Sequence, residues 1–398
     1  MSPARSSSTS SSERKSLRKF YIGLIVPLLV CALYLGFATA LLLRSGEYLP
    51  LDTIIEKQQK TGGIYGSAVL MRGFYYKQRL YDLRKPEIIT LGSSRVLGFR
   101  QQDFARPFVN MGSLSDLEEV IEVAEASFKT HVPKMVILGV DFWWFHPQAE
   151  NRAINRSPAD SGISANDLYQ PLNWLGTGRV TAAQAWHILG GTSPDIGIAG
   201  ITQQDGFDAA GAHYYTSTVT GSRPPEDFQF ALNMAKVKNG ERKYAHGDIV
   251  SEMQFKKLIG LLDLLNEKKI HLVMFVPPIA ERVYREMEKT HGYKYVAELR
   301  QRLAKVAAER HIPFFDYHAG GPAGTQECEF VDTHHGGTVV YQRMLLDMAV
   351  HDAELRGRLN LAAIGWNIEH FGGQSSLRDD EVDFLGLNCT KPSVRKRL

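Results

Sequence analysis

From Phe20 to Leu43 the chain runs for 24 residues without a charge, and no other feature restricts its folding as strongly. As a helix rising 1.5 Å per residue this run is about 36 Å long, enough to cross a ~30 Å hydrocarbon core with some tilt. Pro27 stands near its start, where membrane helices tolerate proline. The opposing reading is a cleaved signal peptide, with Ala38-Thr39-Ala40 as an A-x-A cleavage site. The apolar stretch before that site exceeds the usual length of about 7–15 residues. Leu41-Leu42-Leu43 also continues it, which favours an anchor. Arg5, Arg14, Lys15, Arg18 and Lys19 precede the run against Glu13, and only Arg44 follows closely before Glu47. The positive-inside rule then keeps the N-terminus in the cytoplasm and puts everything after Leu43 outside. In a bacterium that is an inner-membrane anchor with a periplasmic or cell-surface body. Residues 2–13 are mostly serine and predict a disordered tail.

A mean hydropathy of −0.21 over 398 residues rules out a polytopic membrane protein, so the remainder should be a globular body. The formal charge of +3 suggests an anionic partner until it is mapped. Nine of the basic residues lie in 1–19 and 391–398, against a single acidic residue, and the body between is net acidic. A nucleic-acid binder carries a basic stripe on its folded domain; none is visible, and nucleic acid is not an expected partner. Cys31 falls in the span. Cys328 and Cys389 remain, to pair in an oxidising compartment or to stay as thiols.

Past the anchor, residues 44–85 suggest a membrane-proximal connector with amphipathic stretches. Short apolar runs then alternate with longer helical patterns. Glu87 to Leu91 ends at Gly92, and Pro107 to Met111 ends at Gly112. A helical stretch with Leu117, Val120, Ile121, Val123, Ala124 and Phe128 leads to Lys134–Val140, a run suited to a strand buried on both faces. A helix with Phe255, Leu258, Ile259, Leu262 and Leu265 precedes His271–Val276, which ends at Pro277-Pro278. A further helix over about 294–310 leads to Ile312–Asp316, and a last one runs from about 338 to 355. Strands alternating with helices predict an α/β fold, a three-layer α/β/α sandwich around a parallel sheet. It should occupy 86–355, with an insertion at 142–250 and a C-terminal extension at 356–398.

Active sites of such sheets lie beyond the C-terminal ends of the strands. Gly92-Ser93-Ser94-Arg95 follows the first run, Asn110-Met111-Gly112-Ser113 the second, and Gly139-Val140-Asp141 the third. Val331-Asp332-Thr333-His334-His335-Gly336-Gly337 precedes the last helix. A serine hydroxyl is a poor nucleophile until a base takes its proton; histidine suits the task, and a carboxylate fixes its tautomer. Asp332 and His335 are three apart, so one turn can offer both to Ser94. His334 is the competing base. Asp332, His334 and His335 also offer metal donors, but no Cys/His set has ligand spacing, so neither metal nor cofactor is expected.

On Leu91-Gly92-Ser93-Ser94-Arg95, Gly112, Gly139-Val140-Asp141 and Asp332-Thr333-His334-His335, the chain resembles the SGNH (GDSL-like) hydrolase superfamily. It most resembles the membrane-anchored branch that acylates cell-envelope polymers, including the alginate and peptidoglycan O-acetylation proteins and the teichoic-acid D-alanylation protein. The resemblance covers roughly 86–141 and 251–355 as a scattered pattern. It implies Ser94 as nucleophile, His335 as base and Asp332 as acid. Two positions depart from the family. Ser93 replaces the acid of Gly-Asp-Ser, and Asp141 stands where an asparagine normally serves the oxyanion hole. The hole then falls to the N–H groups of Ser94 and Gly112, with Asn110. Arg95 and Asp141 are candidates for substrate binding, as are Trp143 and Trp144, whose rings suit either sugar stacking or the core. The implied activity is O-acylation of an extracytoplasmic polysaccharide, with a membrane-bound acyl-exporting protein as partner. An esterase, or a glycan-binding member that has lost catalysis, shares the same pattern.

Overall fold

The computed structural model describes residues 11–70, 72–151, 162–319 and 323–389. The serine-rich start of the tail and the basic residues 391–398 lie outside these. The chain forms two compact units, residues 1–49 with 160–193, and residues 50–159 with 194–398.

The first unit is built on α1 (Ser11–Ser45), which contains the whole uncharged run with Pro27 inside it. Among the described residues it is the one helix long and apolar enough to cross a membrane. Two short helices from the middle of the chain, α5 (Ala165–Gly176) and α6 (Ala182–Gly190), pack against it.

The second unit holds a five-stranded, wholly parallel sheet. Its strands are β1 (Ile88–Leu91), β2 (Phe108–Met111), β3 (Met135–Gly139), β6 (His271–Val276) and β7 (Phe314–Asp316), in the order β2-β1-β3-β6-β7. Every residue of β1, β2 and β3 is buried, as expected of mostly apolar strands covered on both faces. One group of helices is α3 (Gly73–Arg84), α4 (Leu117–Ser127), α10 (Glu252–Glu267) and α12 (Lys294–Glu309). α3 touches α4 and α4 touches α10, while Arg302 of α12 lies over the Phe255 ring of α10. The other group is α13 (Thr338–His351), α14 (Ala353–Arg356) and α15 (Leu361–Phe371). The two groups flank the sheet. The strand order reverses between β1 and β3, the switch point at which open α/β sheets place their ligands.

The segment set apart as a connector supplies α2 (Leu51–Thr61) and α3. The α3 residue Lys77 is fully buried and donates to the carbonyl of Asn110 on β2 at 2.7 Å. The expected insertion 142–250 is shared between the two units. Its part in the second unit carries an antiparallel pair, β4 (Asp205–Phe207) and β5 (His213–Tyr215), with α7 (Ile198–Gln203), α8 (Thr216–Val219) and α9 (Ala231–Asn239). α11 (Glu281–Thr290) packs on α9. Cys328 and Cys389 form a disulfide, with Cα atoms 5.6 Å apart, which ties the last described residues to the loop leading into α13.

Candidate active site

The turn after β1 folds as its sequence dictates. Gly92 has φ +154, and a Cβ there would meet Val96 at 2.8 Å, so only glycine fits. A short 3₁₀ turn, Ser94–Val96, comes next, and Ser93 caps it: the Ser93 hydroxyl accepts the Arg95 N–H at 3.1 Å. Ser94 is the first residue of that turn, and its hydroxyl is left free of capping and partly exposed above the sheet.

The loop before α13 folds around one carboxylate. Asp332 Oδ1 accepts the backbone N–H of His334 at 2.9 Å and of His335 at 2.8 Å. The Val331 N–H donates to the His335 carbonyl at 2.8 Å and Phe330 pairs with Gly336, closing the loop at its base. The turn therefore presents Asp332 Oδ2 to its own third neighbour, and His335 Nδ1–H donates to it at 2.7 Å. A carboxylate can only accept, so in the neutral ring the proton sits on Nδ1 and Nε2 is the acceptor. That nitrogen accepts the Ser94 hydroxyl at 2.7 Å. Residues 241 positions apart thus complete a serine–histidine–aspartate chain. Burial alone would raise the Asp332 carboxyl, but the His334 and His335 rings and the hydrogen bonds it accepts hold it well below the usual carboxylate range. It is ionised and ready to stabilise an imidazolium. The Tyr215 ring stands 6.1 Å from that of His335 and walls the site on the β5 side.

His334 turns inward. Its side chain is 6% exposed, Lys243 Nζ donates to its Nε2, and its Nδ1–H donates to Thr333 Oγ1 at 2.9 Å. Burial drives its pKa well below the ordinary histidine value, and His335, Lys243 and Arg95 push the same way. Thr333 is held in turn by Asn233, whose amide donates to its hydroxyl at 2.6 Å. Asp332, His334 and His335 do converge as a metal set would. Their donor atoms are committed, however, to the Ser94 hydroxyl, the Lys243 ammonium and one another.

Several expected substrate contacts are instead internal structure. Arg95 is fully buried. Its guanidinium donates to Asp141 Oδ1 at 2.7 Å, to the carbonyls of Pro277 and Pro278, and to the His334 carbonyl at 3.2 Å. Asp141 is buried with it, so this carboxylate pairs with Arg95 and faces no substrate. Trp143 and Trp144 are also buried, Trp143 with the Arg95 guanidinium 5.3 Å from its ring centroid and Trp144 donating to the Ser115 carbonyl at 3.3 Å. Stacking on a sugar is closed to them. Asn110 is used up as well. Its amide nitrogen donates to the carbonyls of Val96 and Phe99 at 2.8 and 3.0 Å, and its Oδ1 accepts the Gly112 N–H at 2.9 Å. Neither Asn110 nor Gly112 has a donor to offer an oxyanion.

Lys243 and Tyr215 were not anticipated. Both come from the insertion, and no spacing ties either to Ser94. Compared with known proteins, the chain matches no family model and no curated protein. Among solved structures it is similar to a candidate acylhydrolase of Bacteroides fragilis. The identity is 13%, over 71% of this chain and 96% of that one, with a TM-score of 0.33. A likeness that weak adds nothing to the chemistry, which rests on the residues themselves.

Proposed function

We propose that the protein is a serine acyl-transfer enzyme working through an acyl-Ser94 intermediate. The observation that carries this reading is the unbroken hydrogen-bond chain from Ser94 Oγ through His335 to Asp332, at 2.7 Å in each link. Ser94 Oγ attacks the carbonyl carbon of an acyl donor as His335 Nε2 takes the hydroxyl proton. The imidazolium then gives that proton to the leaving oxygen, and the C–O bond of the donor breaks. An acceptor hydroxyl repeats the sequence in reverse, losing its proton to His335 as it attacks the Ser94 ester, and Ser94 is released protonated. For the oxyanion we assign the N–H groups of Ser94 and Ser113. Among the described residues neither has a hydrogen-bond acceptor. Ser113 holds φ +81, and its loop is pinned to the Ser94 turn by the Leu114 N–H on the Gly92 carbonyl at 3.2 Å.

The acceptor we propose is a hydroxyl of an extracytoplasmic polysaccharide, and the donor an acyl group handed over by a membrane-bound exporting protein. The long apolar α1 supports this, since an anchor keeps the site beside a membrane that delivers acyl groups. Hydrolysis differs only in the second attack, with water as acceptor. The test is full-length protein in detergent, given p-nitrophenyl acetate with and without a glycan. Acetyl-glycan made by the wild type and absent with Ser94→Ala is the expected result. Release of acetate alone, whatever glycan is supplied, makes it an esterase; equal product from Ser94→Ala ends the serine role.

A further inference from the structure

In the first unit, α5 and α6 cover α1 well inside its uncharged run. The Tyr34 hydroxyl donates to the Leu168 carbonyl at 2.6 Å and accepts the Leu172 N–H at 3.2 Å, so it is inserted into the backbone ladder of α5. Ala38, Leu41 and Leu42 are fully buried, while Phe20 to Leu33 stay exposed. Measured from Lys19, the last charge before the run, a ~30 Å hydrocarbon layer ends about 20 residues on, near Thr39. Tyr34 is five residues short of that boundary, roughly 7 Å beneath it. This is the depth at which amphipathic interfacial helices rest, about 5–10 Å into the boundary region.

The composition of the segment agrees with that depth. Between 162 and 193 only Asp167 and Arg179 are charged, under a third of the 22% found along the whole chain. Both charges are already engaged. Asp167 accepts the Ser164 hydroxyl and N–H at the start of α5, and Arg179 lies 5.8 Å from the centroid of the Trp174 ring. The outer faces of the two helices show Tyr169 at 56%, Leu172 at 51% and Trp186 at 76% exposure. Tyrosine and tryptophan pair an apolar ring with a polar tip, the combination favoured at a water–lipid boundary.

We infer that α5 and α6 form a membrane-embedded platform, lying in the leaflet away from the N-terminus with Tyr169, Leu172 and Trp186 in the lipid headgroup and upper acyl region. The occupant of this face is the bilayer. Its apolar surface continues that of α1, and its depth is set by the Tyr34 contact. The inference rests on α1 spanning the membrane, but not on which way it is oriented.

Bromolipid quenching of full-length protein in phosphatidylcholine–phosphatidylglycerol vesicles tests it. The emission difference between wild type and Trp186→Phe isolates Trp186. Val30→Trp, placed in the Trp186→Phe background on an exposed position of the span, reports whether α1 is inserted. Expected are deep-bromine quenching of the residue-30 probe and at least twofold stronger quenching of Trp186 by shallow than by deep bromines. A spin label on Leu172→Cys should show oxygen accessibility at the same shallow depth. With the residue-30 probe quenched, a Trp186 signal indifferent to either lipid overturns the platform and leaves the span standing. Loss of quenching at both positions removes the span and the platform together. Shielding of Trp186 only when a second membrane protein is added makes the face a protein interface and also overturns the proposal.

Discussion

His334 and His335 are neighbours in the chain with ring centroids 4.1 Å apart, yet they have opposite chemistry. His335 has one nitrogen on an ionised carboxylate and the other on a serine hydroxyl, and its side chain is 17% exposed. His334 has an ammonium at one nitrogen and a threonine at the other, and is sealed from solvent. The same Asp332 carboxylate fixes both backbones. A histidine becomes a base through the acceptor behind it and the hydroxyl before it; proximity to an acid is not enough. His334 lies 3.4 Å from Asp332 Oδ1 and still has no proton to accept from a nucleophile.

The strongest way to break this contrast is to delete the reacting groups. Ser94→Ala or His335→Ala should lower the acyl-transfer rate roughly 10⁴-fold or more, read as turnover of p-nitrophenyl acetate, and abolish fluorophosphonate labelling. Asp332→Asn should cost on the order of 10³–10⁴-fold, because the amide lets His335 adopt the wrong tautomer. Labelling of Ser94 that survives Asp332→Asn at full speed contradicts the assigned tautomer. His334→Gln should change the rate less than about 10-fold, while thermal unfolding reports a loss of about 1–3 kcal/mol for the broken buried contacts. A loss with His334→Gln as large as with His335→Ala would exchange their roles.

Lys243 gives the smallest and most specific effect. Burial pulls its ammonium down to about 8, with Arg95 and Lys236 acting in the same sense and Asp332 and Asp141 opposing. The folded protein therefore holds this proton less tightly than the unfolded chain, whose lysine titrates near 10.5. Stability should rise as pH increases from about 8 towards 10.5 and gain nothing from this group at lower pH. The rise should flatten in Lys243→Met, measured as the pH dependence of the denaturation midpoint. A wild-type and variant difference that stays constant over that window contradicts the buried-ammonium reading.

The sheet was legible because its strands are short, mostly apolar runs that end at glycine, proline or aspartate and alternate with helical patterns. Ser94, Asp332 and His335 were legible because strand ends and the turn before α13 are the places such sheets bring together. Arg95, Asp141 and Trp143 were open to two readings, since a polar or aromatic residue at a strand end suits a substrate contact or an internal partner equally well; the structure takes the internal one. Nothing local reveals that Arg95 folds inward, since its partners lie 46, 182, 183 and 239 residues away. Asn110 misled because its amide serves backbone carbonyls that only the folded turn exposes. The insertion was opaque since its elements are short and draw their stability from contacts far along the chain.

Through the Arg95 contacts the proposed site depends on chain made late in synthesis. The guanidinium adjoining the nucleophile joins the ends of β1, β3 and β6 to the catalytic loop, the last partner being the His334 carbonyl. A nascent chain that has not reached residue 334 has an incomplete contact set and no base for Ser94. A product cut short of that residue should therefore show no acyl transfer.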